Sequence, residues 1–307
     1  MSNPRALITG ITGQDGSYLA EILLEKEYEV FSLVRRSASP NHWRIKHIKD
    51  KLKLIEGDIT DQSSLENAVR ISNPDEVYNL AAQSFVAYSF HTPIATVEAT
   101  GMGTLKLLEA VKNVKKNAKV FQASSSEMFG KVEKSPQNEA TPFHPRSPYG
   151  CAKAFAHHQC VNYREAYGMF IACAIMFNHD SPRRGEEFVT RKITKGVARI
   201  NAGLQDKIIL GNLNASRDWS HAKDMMQGAW LMLQQEKPDD FVLASNHTHT
   251  VKEWLEKTCE IAELNSWEIC QQDPAFERQS EVDCLRGDYS KAEKVLGWKP
   301  TTEFEEG

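Results

Sequence analysis

The first half of the chain alternates short apolar runs with longer amphipathic stretches. The runs are RALIT (5–9), EVFSLV (29–34), LKLIEG (52–57), EVYNLA (76–81), KVFQA (119–123) and MFIACAIMF (169–177). They have strand length and are rich in branched and aromatic residues. In SYLAEILLEKE, which follows the first run, Leu19, Ile22 and Leu23 recur at helical spacing and leave Glu21, Glu25 and Lys26 outside. SSLENAVRI (63–71) is a second such segment. Strands alternating with helices predict βαβ units, right-handed crossovers and an α/β fold whose parallel sheet is covered on both faces.

Past Phe177 the rhythm loosens. KIILG (207–211) and FVLAS (241–245) read as short strands, and KDMMQGAWLMLQQ and VKEWLEKTCEIAEL as helices, without a regular order. The pattern predicts a nucleotide-binding domain over 1–177. A smaller α/β substrate-binding cap over 178–307 would close on the carboxyl ends of the sheet, with some segments returning to the first domain. The chain stops at GWKPTTEFEEG, where a helix would be natural after Phe304 and Glu305, so it reads as cut short.

The turn from the first strand into the first helix, ITGITGQDGSYLAEILL, carries Gly10, Gly13 and Gly16 as G-x-x-G-x-x-G. Gly10 suits a tight turn, Gly13 lets the backbone approach a pyrophosphate, and Gly16 lets helix and strand pack closely. The helix N-terminus would then face the phosphates. A glycine pattern alone is weak, but this one sits between strand and helix at the head of a βαβ series. The sheet is therefore expected to be a Rossmann-type doubly wound sheet that binds a dinucleotide. About 20 residues on, where an acid would hold the ribose hydroxyls of NAD, the chain reads VRRSAS. Arg35, Arg36 and Ser37 suit a 2′-phosphate better, which favours NADP. Arg36 reads equally as facing solvent or a neighbouring subunit. Asp58, in GDIT, is placed to touch the adenine amine or to cap the next helix.

Composition narrows the class. With 307 residues, 41% hydrophobic, 25% charged and a formal charge of −4, the chain offers no basic surface for nucleic acid. It has no signal peptide and no apolar run long enough to span a membrane, so a cytoplasmic protein is expected. The six cysteines lack C-x-x-C pairing and read as reduced, mostly core thiols. The ten histidines lack ligand spacing, so no metal is expected.

RSPYGCAK places Tyr149 and Lys153 four apart on one helical face. A tyrosine with an ordinary pKa near 10 is a poor base. A neighbouring ammonium and a cationic nicotinamide would both favour the phenolate, so that Tyr149 could take a proton from a sugar hydroxyl. Ser124 to Ser126, at the end of the fifth run, offer a hydroxyl opposite Tyr149, or simply a turn cap. Glu127 follows them, in FQASSSEMFG.

With TGITGQDGSYLAE, VRRS, EVYNLAAQSFV, QASSSEMFG, PFHPRSPYGCAK, VNYREAYG, FNHDSPRRGEEFVTRKI, RDWSHAKD and RGDYSKAEKVLGWKP, the chain resembles the extended short-chain dehydrogenase/reductases over nearly its whole length. Within them it is most similar to the GDP-mannose 4,6-dehydratases. The resemblance implies a lyase that oxidises the hexose at carbon 4 with NADP. Water is then eliminated across carbons 5 and 6, and hydride returns to carbon 6. It casts Glu127 as the base at carbon 5 and the acid at the carbon 6 hydroxyl, a group that a 4-reductase or 4-epimerase would not need. It puts the family's threonine at Ser125, with loss of the methyl that fixes the rotamer, and implies a less constrained donor there. On the cofactor side it adds Thr12, Gln14, Asp15, Ile59, Leu80, Ala81, Ala82, Ser84, His179 and Arg184. On the substrate side it implies Ser84, Glu127, Asn178, Val189, Lys192, Arg217, Arg278 and Glu281 for a GDP-sugar. GDP-mannose comes first, and a GDP-heptose would use the same groups. A homodimer through the Tyr149 helix and its neighbour, or a homotetramer through the loop at Arg35, is also implied. A nucleotide-sugar reductase or epimerase, and a non-catalytic dinucleotide sensor, are the rival readings.

Overall fold

A computed structural model describes residues 3–276, 282 and 284–306. The chain runs β1 (Arg5–Thr9), α1 (Gln14–Glu25), β2 (Glu29–Val34), β3 (Lys53–Glu56), α2 (Gln62–Ser72) and β4 (Glu76–Asn79). Two one-turn helices follow, α3 (Val86–Ser89) and α4 (Pro93–Thr96), then α5 (Gly103–Lys115), β5 (Lys119–Ser125), α6 (Pro148–Tyr167) and β6 (Ile171–Met176). Later come β7 (Asn178–Asp180), α7 (Val189–Asn201), β8 (Ile208–Leu210), β9 (Ser216–His221), α8 (Ala222–Leu233) and β10 (Asp240–Leu243). The described chain closes with β11 (Thr248–Thr250), α9 (Val251–Ile261), α10 (Ser266–Ile269), β12 (Cys270–Gln272), β13 (Cys284–Leu285) and α11 (Ser290–Leu296).

Seven strands form one parallel sheet in the order β10-β6-β5-β4-β1-β2-β3. Apolar side chains of α1 and α8 cover one face, and those of α2, α5 and α6 the other. The chain builds outward from β1 in one direction and then from β4 in the other. The carboxyl ends of β1 and β4 therefore part at a topological switch point, where ligands of such sheets bind. Polar side chains lace those ends together. Thr9 Oγ1 donates to Asn79 Oδ1 at 2.7 Å, and Asn79 Nδ2 donates to Gln122 Oε1 at 2.8 Å and to Thr104 Oγ1 at 3.0 Å. All four residues are buried, and each amide finds a partner, as a dry interior requires.

The strand within FVLAS is not part of the cap layer. As β10 it pairs with β6 and forms the edge of the main sheet, because α8, which precedes it, lays its methionines on that sheet beside α1. A second layer holds β11-β9-β13, with β7 on β9, and the β12-β8 pair. Asp218 of β9 ties this layer to the loops after β10 and β13. It accepts from Ser245 N and Oγ at 2.7 Å each, Asn246 N at 2.9 Å and Gly287 N at 3.1 Å. Cys160, Cys173 and Cys259 are buried, whereas Cys151 and Cys284 are exposed, so the thiols are less uniformly core than their surroundings suggest. No helix of the described residues is long and apolar enough to cross a membrane.

Candidate active site

A cleft of about 1260 Å3 opens at the switch point. This exceeds what one small ligand occupies and leaves room for two nucleotides end to end. Its floor is the glycine turn. Gly10 has φ +81°, and a side chain there would press on Ala81 N at 2.9 Å. A Cβ on Gly16 would lie 2.4 Å from Gly10 O, so close packing of α1 on the turn depends on its absence. Gly13 caps α1 without any side-chain hydrogen bond, which leaves the first helical N–H groups directed at the cleft. This is a cradle for a pyrophosphate, and its residues fit a dinucleotide. Thr12, Ile59, Leu80, Ala81, Ala82 and Ser84 continue the same wall.

Asp58 also lines the cleft. It does not cap α2: Asp61 does, accepting from Ser64 N at 2.9 Å, while Asp58 Oδ1 accepts from Thr60 N and Oγ1. Arg35 reaches the cleft from the end of β2. Arg36 and Ser37 do not line it among the described residues. They lie where the chain has left the sheet for solvent, and Ser37 Oγ accepts from Ser39 N.

A charged cluster closes the cofactor end. His179 Nδ1 donates to Phe177 O at 2.7 Å, and its Nε2 meets Asp15 Oδ2 at 3.0 Å. Burial opposes the charge on both partners, but their mutual attraction wins. Asp15 falls to about 2, helped by Arg184, and His179 rises above its ordinary value. Gln14 Nε2 donates to His179 O at 3.2 Å, and Gln14 Oε1 accepts from Ser181 Oγ at 2.8 Å, fastening α1 to β7. Arg184 pairs with Asp180 at 3.1 Å and lies over the Phe188 ring at 3.6 Å.

The residues expected to react meet where β5 ends and α6 begins. β5 runs two residues beyond its apolar core, so Ser124 and Ser125 belong to the strand. Ser147 caps α6, Pro148 takes its first position, and Tyr149 and Lys153 stand one turn apart on the face toward β5. Lys153 Nζ donates to Ala123 O at 2.5 Å and sits 5.8 Å from the Tyr149 ring centre. Ser125 lies beside the Tyr149 phenol and favours its charged form, and the buried Glu127 carboxylate lies close enough to oppose it. Burial raises Tyr149 to about 12, with Ser125 lowering it and Glu127 raising it. Burial draws Lys153 down to about 8, partly offset by Asp15. Burial of the phenol thus outweighs the expected ammonium effect here, and the amine itself is turned to the Ala123 carbonyl. Ser125 is better held than loss of a methyl suggests: its Oγ also accepts from Glu127 N at 3.2 Å, which fixes the rotamer by a hydrogen bond.

At the far end Asn178, Val189 and Lys192 line the cleft, and burial lowers the Lys192 pKa. Arg217 does not line it among the described residues. It is buried on β9, with Nη1 donating to Ser216 O at 2.9 Å. Arg278 and Glu281 lie outside the described residues. Sequence reasoning missed Gln83, Phe85, Phe188, Leu210, Gly211 and Trp219, all on the cleft wall. Phe85 and Phe188 meet edge to face at 5.5 Å, and each sits inside a quoted motif, EVYNLAAQSFV and EEFVTRKI, whose aromatic position could have marked it.

Known proteins resemble this chain in sequence and fold. The family model described as GDP-mannose 4,6 dehydratase matches residues 7–307. The chain belongs to the GDP-mannose 4,6-dehydratase family. That family is one of hydro-lyases. A family relative, GDP-mannose 4,6 dehydratase 1 of Arabidopsis thaliana, is 53% identical, covering 98% of this chain and 86% of that protein. The Homo sapiens GDP-mannose 4,6 dehydratase is 48% identical, over 100% and 90%. Among solved structures, a Thermus thermophilus UDP-glucose 4-epimerase in complex with NAD superposes with TM-score 0.86 at 26% identity, over 99% of this chain and 96% of that one. The dTDP-glucose 4,6-dehydratase DesIV of Streptomyces venezuelae, with TM-score 0.89 at 23% identity over 99% and 94%, shares the fold.

Proposed function

We propose that the protein dehydrates GDP-mannose to GDP-4-keto-6-deoxymannose with NADP as a recycled cofactor. The observation that carries this reading is a buried carboxylate, Glu127, beside the Ser125–Tyr149 pair in a dinucleotide-sized cleft. A nicotinamide held along the Gly10–Gly16 turn would supply the acceptor for the carbon 4 hydride and the donor for carbon 6, with carbon 5 taking a proton from solvent. Tyr149 accepts the carbon 4 hydroxyl proton, and Ser125 holds the oxygen as it becomes a carbonyl. The ketone acidifies the hydrogen on carbon 5, which Glu127 removes. Glu127 then protonates the departing carbon 6 hydroxyl, which leaves as water. Lys153, bonded to Ala123 O, keeps positive charge beside the tyrosine. Arg35, with no acid in its place, supports NADP over NAD. Lys192 and Asn178 would bind the nucleotide diphosphate, and we assign Arg217, Arg278 and Glu281 no position in it.

The test is incubation with GDP-mannose in deuterated water, without added cofactor. The expected product carries deuterium at carbon 5, and nucleotide extracted from the purified protein is NADP. Net consumption of added NADPH, with the carbon 6 hydroxyl retained, would instead identify a reductase, and an unchanged carbon skeleton with inverted carbon 4 an epimerase. Failure with GDP-mannose but turnover of a GDP-heptose would move the reading to that sugar.

A further inference from the structure

Three consecutive residues of β5 each face one of three residues spaced four apart on α6. Ser125 lies beside Tyr149, Ala123 O accepts from Lys153 Nζ, and Ser124 Oγ meets His157 Nδ1 at 3.0 Å. The i, i+4, i+8 spacing puts Tyr149, Lys153 and His157 on one stripe of the helix. Two of the three rungs are reaction groups. The third has no part in the chemistry proposed above, yet it is the most deeply fixed: His157 is 5% exposed and Ser124 2%. Phe143 packs edge-on against the imidazole at 5.2 Å, and its Nε2 faces Asp240 Oδ2 at 3.8 Å.

A serine, a histidine and an aspartate in series invite comparison with a hydrolytic triad, but the geometry excludes one. The Asp240 carboxylate is engaged by Arg164, with Nη1 and Nη2 donating at 2.8 and 2.9 Å, and 3.8 Å is beyond hydrogen-bond reach of His157. Ser124 lines the cleft, but its hydroxyl is spent on the His157 imidazole. What the contact does fix is the strand end. Ser124 directly precedes Ser125, so any rotation or slip of β5 against α6 that breaks the His157 bond also moves the Ser125 hydroxyl relative to Tyr149.

We propose that His157 is a positioning residue for the reaction, holding the end of β5 to α6 through Ser124 and thereby setting the Ser125–Tyr149 pair. The inference rests on the dehydration reading for its kinetic test and is independent of it for its structural one. His157→Phe keeps the bulk of the ring and removes its hydrogen bond, and His157→Asn restores a polar group near the Nδ1 position. His157→Phe and Ser124→Ala are each expected to lower kcat by roughly tenfold or more, since small misplacements of reacting groups are costly. KM for GDP-mannose should stay within about twofold. The double variant should be no slower than the worse single one, because both remove one contact, and His157→Asn should recover most of the rate. Additive losses, or a His157→Phe enzyme that is less heat-stable yet turns over at the parent kcat, would overturn the proposal. Crystal structures of the parent and His157→Phe provide the second test whatever sugar the enzyme takes. Displacement of the Ser125 hydroxyl relative to the Tyr149 phenol supports the proposal, and an unchanged placement overturns it.

Discussion

In the proposed dehydration, Glu127 is the residue on which the chemistry turns. Its position after a strand-ending serine run raised the question, the family resemblance supplied the expected role, and the structure buries it beside Tyr149. Glu127→Gln keeps the shape and removes the base. Overall turnover is expected to fall by roughly a hundredfold or more, while oxidation at carbon 4 persists, seen as reduced nicotinamide absorbance that accumulates and does not decay. Lys153 gives a second expectation. Its folded pKa, about 8, lies below the ordinary 10.5 because of burial, so it holds its proton below about 8 and loses it above. kcat/KM should therefore decline as pH rises through about 8, and in Lys153→Arg that decline should shift to higher pH, as a pH–rate profile would show. The Tyr149 environment was less legible. Tyrosine and lysine four apart suggest direct activation, but the Ala123 carbonyl competes for the amine, and no spacing rule announces a backbone acceptor thirty residues away.

At the scale of elements, six strands of the sheet and the glycine turn follow from apolar runs and punctuation. The register that matters most, the extension of β5 through Ser125, does not, since serines have poor strand propensity and gain their place only by pairing with Ile175 and Met176 of β6. The polar lacing of Thr9, Asn79 and Gln122 had a visible signal. Each is a polar residue that follows the apolar middle of its run, and together they mark the strand ends that face the switch point. The close fit of α1 on the turn yields a sharp expectation. In Gly16→Ala the methyl would lie 2.4 Å from Gly10 O and 2.5 Å from Ile11 Cα, so the helix must shift away from the phosphate cradle. NADP affinity measured by calorimetry should weaken by at least about tenfold, roughly 1.4 kcal/mol, with the circular dichroism spectrum kept.

For the whole molecule, the surface beside the catalytic helix carries exposed Ile94, Val97 and Phe155, with Ile94 81% exposed. A monomer rarely leaves such residues grouped without use, and they lie where the family resemblance expects a twofold partner. Light scattering should give the mass of a dimer, and Ile94→Glu, which touches no part of the core, should give a monomer of unchanged fold. A parent protein that scatters as a monomer would remove this expectation.

The placement of β10 reaches further than the architecture alone. The strand and α8 before it are supplied by the later half of the chain, yet they complete the sheet that the earlier half begins. No single cut therefore yields two pieces that could each fold. A chimera meant to exchange sugar preference between relatives would have to transplant the stretches on either side of 222–243 and leave that middle span native. Recombination at Phe177, the break suggested by the changing rhythm of the chain, would instead leave a foreign border on the nucleotide-binding half.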